Sequence, residues 1–434
     1  MYRAPILAEE RWPRLLVLCG LYVAQGVPHG FVTITLAAAI TASMKTGDAT
    51  DLEIASATSK IIFFSTLPWM FKWIAGPFVD RFSIPGLGRR RPWIILAQLG
   101  MMLTLVQMAM LPDPVAQLTS LAWLAFAHSV FNALQDVSVD ALAVDLLPPK
   151  ERGRVTGLMY GSKFVGTAIG GAGLSFVAAR TDLTGAFVAM ILVILAISLL
   201  PLLTIERRGE HLLIPGGEQS PTNEAENKNL LNIFKKVAAA FSTRPALATA
   251  ALCVMATAAN GMLVPIGTIL FVNDLEWGQE QYGRITGGIA VFAGLFGAIA
   301  GGFLADWFGP RKVAAISTVF YGLLLSGFGL AETLWTNENI TVPYIVAEAF
   351  FLGCLSTSIF AICLGVSHAA IAATQFTAYM AMLNLSTIWG TAISPKALEY
   401  LGTAGAFVAA GIMQAAIVCI LPFTQVRAQK QHAD

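Results

Sequence analysis

Four ionisable residues sit where an apolar helix should carry none. Lys72, Asp136, Asp140 and Lys163 each interrupt a long apolar run. A charge at the centre of a membrane helix costs about 2.5–3.5 kcal/mol on the insertion scale, so each one needs a partner or a task. Lys72 stands eight residues before Asp80, Asp140 eight before Pro148, and Lys163 nine after Arg154. At ~1.5 Å per residue, all three lie ~12–13 Å from one end of their helices. Charges of opposite sign at one depth can form a buried cluster. That cluster either seals its half of the bundle or handles solute and protons, and the residues alone leave both readings open. Asp136 lies ~18 Å in, near a bilayer midplane, and is the first candidate to take and release a proton. Asp140 and Glu348 come next.

Two polar stripes accompany these charges. His128, Asn132, Asp136 and Asp140 are spaced by four, and Tyr22, Gln25, His29 and Thr33 by three, four and four. Four residues turn a helix by ~400°, so each stripe drifts ~40° per step yet stays on one side. Gln25 falls at the depth of Asp136, and Gly26 and Pro28 beside it loosen the helix where a cavity reaches the backbone. Gln135 can bond a solute or hold the neighbouring carboxylate. A lone polar residue in a span is usually interhelical glue, but two stripes read better as the lining of a cavity. Asn260 either faces that cavity or bonds a neighbouring helix. Glu348, about seven residues into its run, reads first as interfacial and second as a site residue. Trp69, Trp73 and Trp389 read as packing.

Other chemistries lack their residues. The five cysteines, Cys19, Cys253, Cys354, Cys363 and Cys419, lie in apolar stretches without a C-x-x-C pair or a histidine cluster, and read as small hydrophobes. There is no G-x-x-x-x-G-K-[ST] loop, no H-E-x-x-H and no G-x-S-x-G. ATP-driven pumping and membrane hydrolysis therefore have no visible machinery. The expectation is a protein that is not an enzyme and has no cofactor and no metal.

The elements that must position these residues follow from composition. The 434 residues are 56% hydrophobic and only 12% charged, about half the charge of a soluble domain. Net charge is +1, which leaves no footprint for nucleic acid. Apolar runs fall at 15–40, 58–79, 92–111, 117–145, 155–179, 184–204, 245–272, 283–305, 313–331, 342–366, 373–394 and 403–423. At ~20 residues per crossing these are twelve candidate spans. The first run is too long for a signal-peptide core. A polar linker separates the sixth run from the seventh, and Leu230–Phe241 within it has the spacing of a helix lying on the membrane surface. Of the 27 Lys and Arg, twenty fall on the side of both termini and three on the other. The positive-inside rule then puts both termini in the cytoplasm.

One motif occurs twice. Gly76-Pro-Phe-Val-Asp80-Arg81 ends the second run, and Gly302-Phe-Leu-Ala-Asp306-Trp307 ends the eighth, 226 residues later. A glycine and a basic cluster follow each: Gly88 with Arg89, Arg90 and Arg91, and Gly309 with Arg311 and Lys312. A motif in register in two six-run halves is the mark of duplication. Its glycines read as close-approach positions and its basic loop as a gate. The pattern resembles the major facilitator superfamily. That resemblance implies an all-α integral membrane fold with twelve transmembrane helices in two six-helix pseudo-repeats, residues 1–205 and 245–434, joined by a linker over 206–244. It implies a secondary transporter working by alternating access, with helices 1, 4, 7 and 10 lining a central cavity. It also implies that helices 5 and 8, carrying Gly166-x-x-x-Gly170 and Gly297-x-x-x-Gly301, meet between the halves.

Lys72-Trp-Ile-Ala-Gly-Pro77, Gly88 through Trp93, the Gln135-Asp136-x-x-x-Asp140 stretch running to Glu151-Arg152-Gly153, and Ala373-Thr374-Gln375-Phe376 resemble the AmpG-like branch. That branch holds muropeptide permeases, acetyl-CoA transporters and RhtX-type siderophore permeases. The implied partners are the lipid bilayer, a polar small-molecule solute and a proton gradient, in a monomer of a bacterial inner membrane. The chain stops soon after its twelfth run, which leans toward the smaller siderophore group. Lys163 stands where the branch leads one to expect arginine. The runner-up from another class is a non-transporting assembly factor or receptor on the same scaffold.

Overall fold

The computed structural model describes residues 4–82, 84, 86–148, 151–212, 241–367 and 372–425. The expected surface helix over Leu230–Phe241 lies outside them except for its last residue. The described chain is helical almost throughout. Among the described residues, nine helices are long and apolar enough to cross a membrane. Two more helices, Asp51–Met70 and Leu118–Leu146, fall on the second and fourth runs. The last, Ala372–Ala416, breaks at Gly402 with φ 65°, which divides it between the eleventh and twelfth runs. The helix count is thus consistent with twelve.

Helix ends follow local chemistry. Thr50 and Glu53 form a capping box at the start of the second helix, satisfying two orphan N–H groups. Asp182, Thr243 and Asn337 cap the sixth, seventh and tenth helices with their side chains. Rows of large apolar side chains, such as Leu99, Leu103, Leu192, Phe296 and Leu323, are exposed on the helix surfaces. In water that surface would be costly at ~25 cal/mol per Å². Against lipid it is the ordinary exterior of a multi-pass integral membrane protein.

Two compact units divide the chain. One comprises Met1–Glu226, Val264–Phe292 and Ser394–Glu399, and the other Asn227–Leu263, Ala293–Ile393 and Tyr400–Asp434. The first unit centres on Val27, Phe31, Leu36, Ile61, Met101, Leu105, Phe187 and Ile194.

Glycines set the closest approaches, though not where the sequence suggests. A Cβ at Gly166 or Gly170 would lie 2.2 or 2.0 Å from the carbonyl oxygen of Val23 or Val27. These glycines therefore press the fifth helix onto the first. Gly297 and Gly301 press likewise on Phe350 and Cys354 of the tenth helix. The meeting of the fifth and eighth helices is made instead by Gly171 and Gly287, where a Cβ on Gly287 would come within 2.6 Å of Ala172 N. Three π-helical turns, Phe31–Leu36, Ile169–Gly173 and Gly283–Ile289, meet there. Such turns leave carbonyls short of partners, and the buried Thr35 hydroxyl supplies one at 2.8 Å from Gly170 O.

Candidate functional site

The second helix breaks where its lysine is needed. Pro68 removes one backbone donor in its last turn, the chain turns at Phe71, and Lys72–Ile74 form a 3₁₀ turn before Ala75–Arg81 resumes. Lys72 Nζ then reaches Asp136 Oδ2 at 2.8 Å, with side chains 17% and 6% exposed. Gln25 Nε2 donates to the other oxygen, Asp136 Oδ1. One turn along, Asp140 Oδ1 accepts from the Tyr22 hydroxyl. Tyr160 stands edge-on to Tyr22 at 5.7 Å. Trp69 lies beside two ammonium groups, with Lys72 5.7 Å and Lys163 5.2 Å from its ring centre.

The two stripes do face each other, in antiparallel register. Tyr22 meets Asp140, Gln25 meets Asp136, and Asn132 Nδ2 approaches Gln25 O at 3.5 Å. His128 departs from this pattern, because two steps of drift turn it to the third helix. There its Nδ1 lies 3.0 Å from Thr104 Oγ1 and 3.2 Å from Met101 O. Gln135 is fully buried and donates to Leu21 O at 2.9 Å, so it fastens the fourth helix to the first. His29 is exposed although it lies mid-helix. In the second unit, Glu348 accepts from the Tyr321 hydroxyl at 3.2 Å, with Asn260 and Tyr344 around it. Tyr321 is fully buried, so the half-buried Glu348 carboxylate meets its partner inside the helix packing. Trp389 donates to Val254 O at 2.7 Å. Cys253 and Cys363 are free thiols with sulfurs 3.4 Å apart.

The repeated loop motif is built differently in its two copies. A Cβ at Gly76 would meet nothing within 4 Å, and one at Gly302 only Thr357 at 3.6 Å, so neither is a close-approach glycine. The glycines that matter are Gly88 and Gly309, at φ 95° and 90°, a left-handed backbone that glycine adopts without strain. The side chain of Asp80 lies outside the described residues. Arg81 is exposed over Phe82. Arg90 Nε pairs with Asp145 at 2.8 Å. The fully buried Arg91 donates to carbonyls at the end of the sixth helix and just beyond it, Pro201, Leu202, His211 and Leu212. In the second copy Asp306 and Lys312 are exposed, and with Arg311 they form no ion pair among the described residues.

A clip that sequence reasoning missed joins the first copy to the start of the linker. Glu206 accepts the backbone N–H groups of Arg89, Arg90 and Arg91, capping the third helix from a distance. The carboxylate of Glu210 in turn accepts from Glu206 N at 2.8 Å and Arg207 N at 3.1 Å. Burial first, and then the Glu206 charge, push the Glu210 carboxyl up from 4.5 to about 6. A raised folded pKa stabilises the clip fully below 4.5, and that stabilisation is lost as pH rises through about 6. Amide exchange at Arg89–Arg91, corrected for its intrinsic pH dependence, should therefore speed up across that window. In Glu210→Gln the acceleration should flatten. An unchanged profile in the variant would remove Glu210 from the clip's pH response.

A family model described as Major Facilitator Superfamily matches residues 15–391. The chain belongs to that superfamily. The anhydromuropeptide permease of Escherichia coli K12 is 34% identical over 143 residues, which are 32% of this chain and 27% of that protein. The match spans about a quarter of that permease's length. A Rickettsia felis protein named AmpG 4 is 25% identical over 419 residues, covering 91% of this chain and 92% of its relative. The crystal structure of a D-xylose-proton symporter superposes with a TM-score of 0.73 at 12% identity, over 94% of this chain and 97% of that one. At that identity the likeness is one of fold. The superfamily match and these relatives are those of transport proteins, not of enzymes.

Proposed function

We propose that the protein is a proton-coupled secondary transporter of a polar small molecule, working by alternating access as an AmpG-like permease. The reading takes two six-helix halves, residues 1–205 and 245–434, joined by the 206–244 linker. Both termini face the cytoplasm, and the monomer sits in a bacterial inner membrane. The observation that carries it is the Lys72–Asp136 pair with Asp140 one turn away. A buried ion pair is a poor way to stabilise a helix bundle, so its presence among apolar helices favours a functional role. The geometry also separates the two carboxylates. A proton on Asp136 would end its ion pair with Lys72 and leave that ammonium without a counter-charge. Asp140 can, because its bonded partner is the neutral Tyr22. Asp140 is therefore the better proton carrier of the two, and Asp136 the group that holds the site together. Among solutes, the AmpG-named relatives favour an anhydromuropeptide over a siderophore or acyl-CoA.

Reconstituted protein tests this. Proteoliposomes with an inward proton gradient should accumulate labelled anhydromuropeptide, and a protonophore should collapse the accumulation. Uptake indifferent to the protonophore would leave a facilitator. The absence of uptake for all three solute classes would remove the transport reading.

A further inference from the structure

Lys163 is the one member of the charged group whose ammonium bonds nothing among the described residues. Lys72 is committed to Asp136 and Asp140 to Tyr22. Lys163 rests at 5.2 Å over the Trp69 ring and has no carboxylate within ion-pair distance among the described residues. An aromatic face attracts a cation, but it accepts none of the three N–H bonds that an ammonium offers. Lys163 is half-buried, and a charge drawn this far from water is ordinarily paired. Two acceptors on the facing first and fourth helices are also unused. Gln25 must turn Nε2 toward Asp136, which leaves its Oε1 unbonded, and Asn132 Oδ1 is likewise buried without a donor. His29, on the same stripe as Gln25 and within electrostatic reach of Lys163, is exposed.

We infer that Lys163 and Trp69 form a subsite for an oxyanion of the transported solute, while Gln25 Oε1 and Asn132 Oδ1 accept N–H or O–H donors of the same molecule. The inference rests on the transport reading and deepens it, because it names an anionic solute. It also links solute to proton. The titratable and charged groups around Asp140 are Tyr22 from the first helix, Lys72 from the second, Asp136 on its own helix, and Tyr160 and Lys163 from the fifth. A proton on Asp140 removes a negative charge that balances Lys163 at longer range. The ammonium is then left for the solute, and the two bind together.

Equilibrium binding to the purified full chain in detergent tests this with three probes: an anhydromuropeptide, its carboxyl methyl ester, and an acyl-CoA carrying phosphates. The wild type should bind the free acid at least tenfold more tightly than the ester. Lys163→Gln should erase that difference by weakening the acid on the order of tenfold or more while leaving the ester unchanged. Lys163→Arg, which keeps the charge, should retain most of the preference. If acyl-CoA alone depends on Lys163, the subsite stands and the anhydromuropeptide reading falls. If Lys163-dependent binding occurs without uptake in proteoliposomes, the transport reading falls alone. Equal weakening of acid and ester overturns the inference, as does binding indifferent to Lys163, or no binding of any probe to the wild type.

Discussion

Lys72→Met should destabilise the protein by about 3–5 kcal/mol, the usual result of stripping one partner from a buried pair, and abolish uptake. Asp136 would keep Gln25 but lose its cation, and a buried carboxylate so abandoned must take a proton or open the bundle. Asp136→Asn by itself should be damaging for the mirror-image reason, leaving the Lys72 ammonium unmatched. Combining Lys72→Met with Asp136→Asn removes both charges and should recover most of the lost stability. Thermal unfolding of the detergent-solubilised single and double variants measures this as a cycle. A double variant no more stable than either single would mean that the two charges are not coupled. The recovered protein should still not transport, which separates folding from function.

Asp140→Asn should have the largest effect on coupling and a small one on stability. The amide keeps the shape and can still accept from the Tyr22 hydroxyl, and no ion pair is broken. Accumulation against a gradient should be lost, while exchange of labelled for unlabelled solute between two filled compartments persists. Binding of the free acid should also lose its pH dependence, since Lys163 is then permanently without that counter-charge. Asp140→Asn liposomes that still accumulate solute would move the proton to another group. Glu348 is the next to test, as its bonded partner is the neutral Tyr321.

Helix type was readable from the sequence, as was a count consistent with the structure, because lipid demands ~20 apolar residues per crossing whatever the rest of the chain does. The duplicated loop was readable because repetition is a property of the sequence itself. The place of Asp136, Asp140 and Lys163 along their helices was readable because a helix has a constant rise, whereas Lys72 falls in a 3₁₀ turn that counting residues did not show. The one-sidedness of the stripes on the first and fourth helices was readable too, though drift carried His128 away, and their antiparallel register came only from the packing.

Partner choice was not legible. Lys72 and Asp136 are 64 residues apart and Tyr22 and Asp140 118, so their meeting depends on how whole helices are rotated against each other. Depth alone gave Lys72 two possible carboxylates, and the break at Phe71 selected Asp136. The glycine motifs show the same limit. Spacing marks a helix face as thin, but not which neighbour will use it, and Gly166 and Gly170 received the first helix rather than the eighth. Glu206, in a stretch that reads as solvated linker, became the cap of the third helix only because the chain leaving the sixth helix passes over Arg89, Arg90 and Arg91. The sequence by itself determined the helices, the repeated motif and the order of the charges along each run, since these follow from one segment at a time. The tertiary structure decided which charge is paired, which is left open, and which loop is fastened, since hydrogen bonds and ion pairs act over a few ångströms and only packing brings distant segments that close.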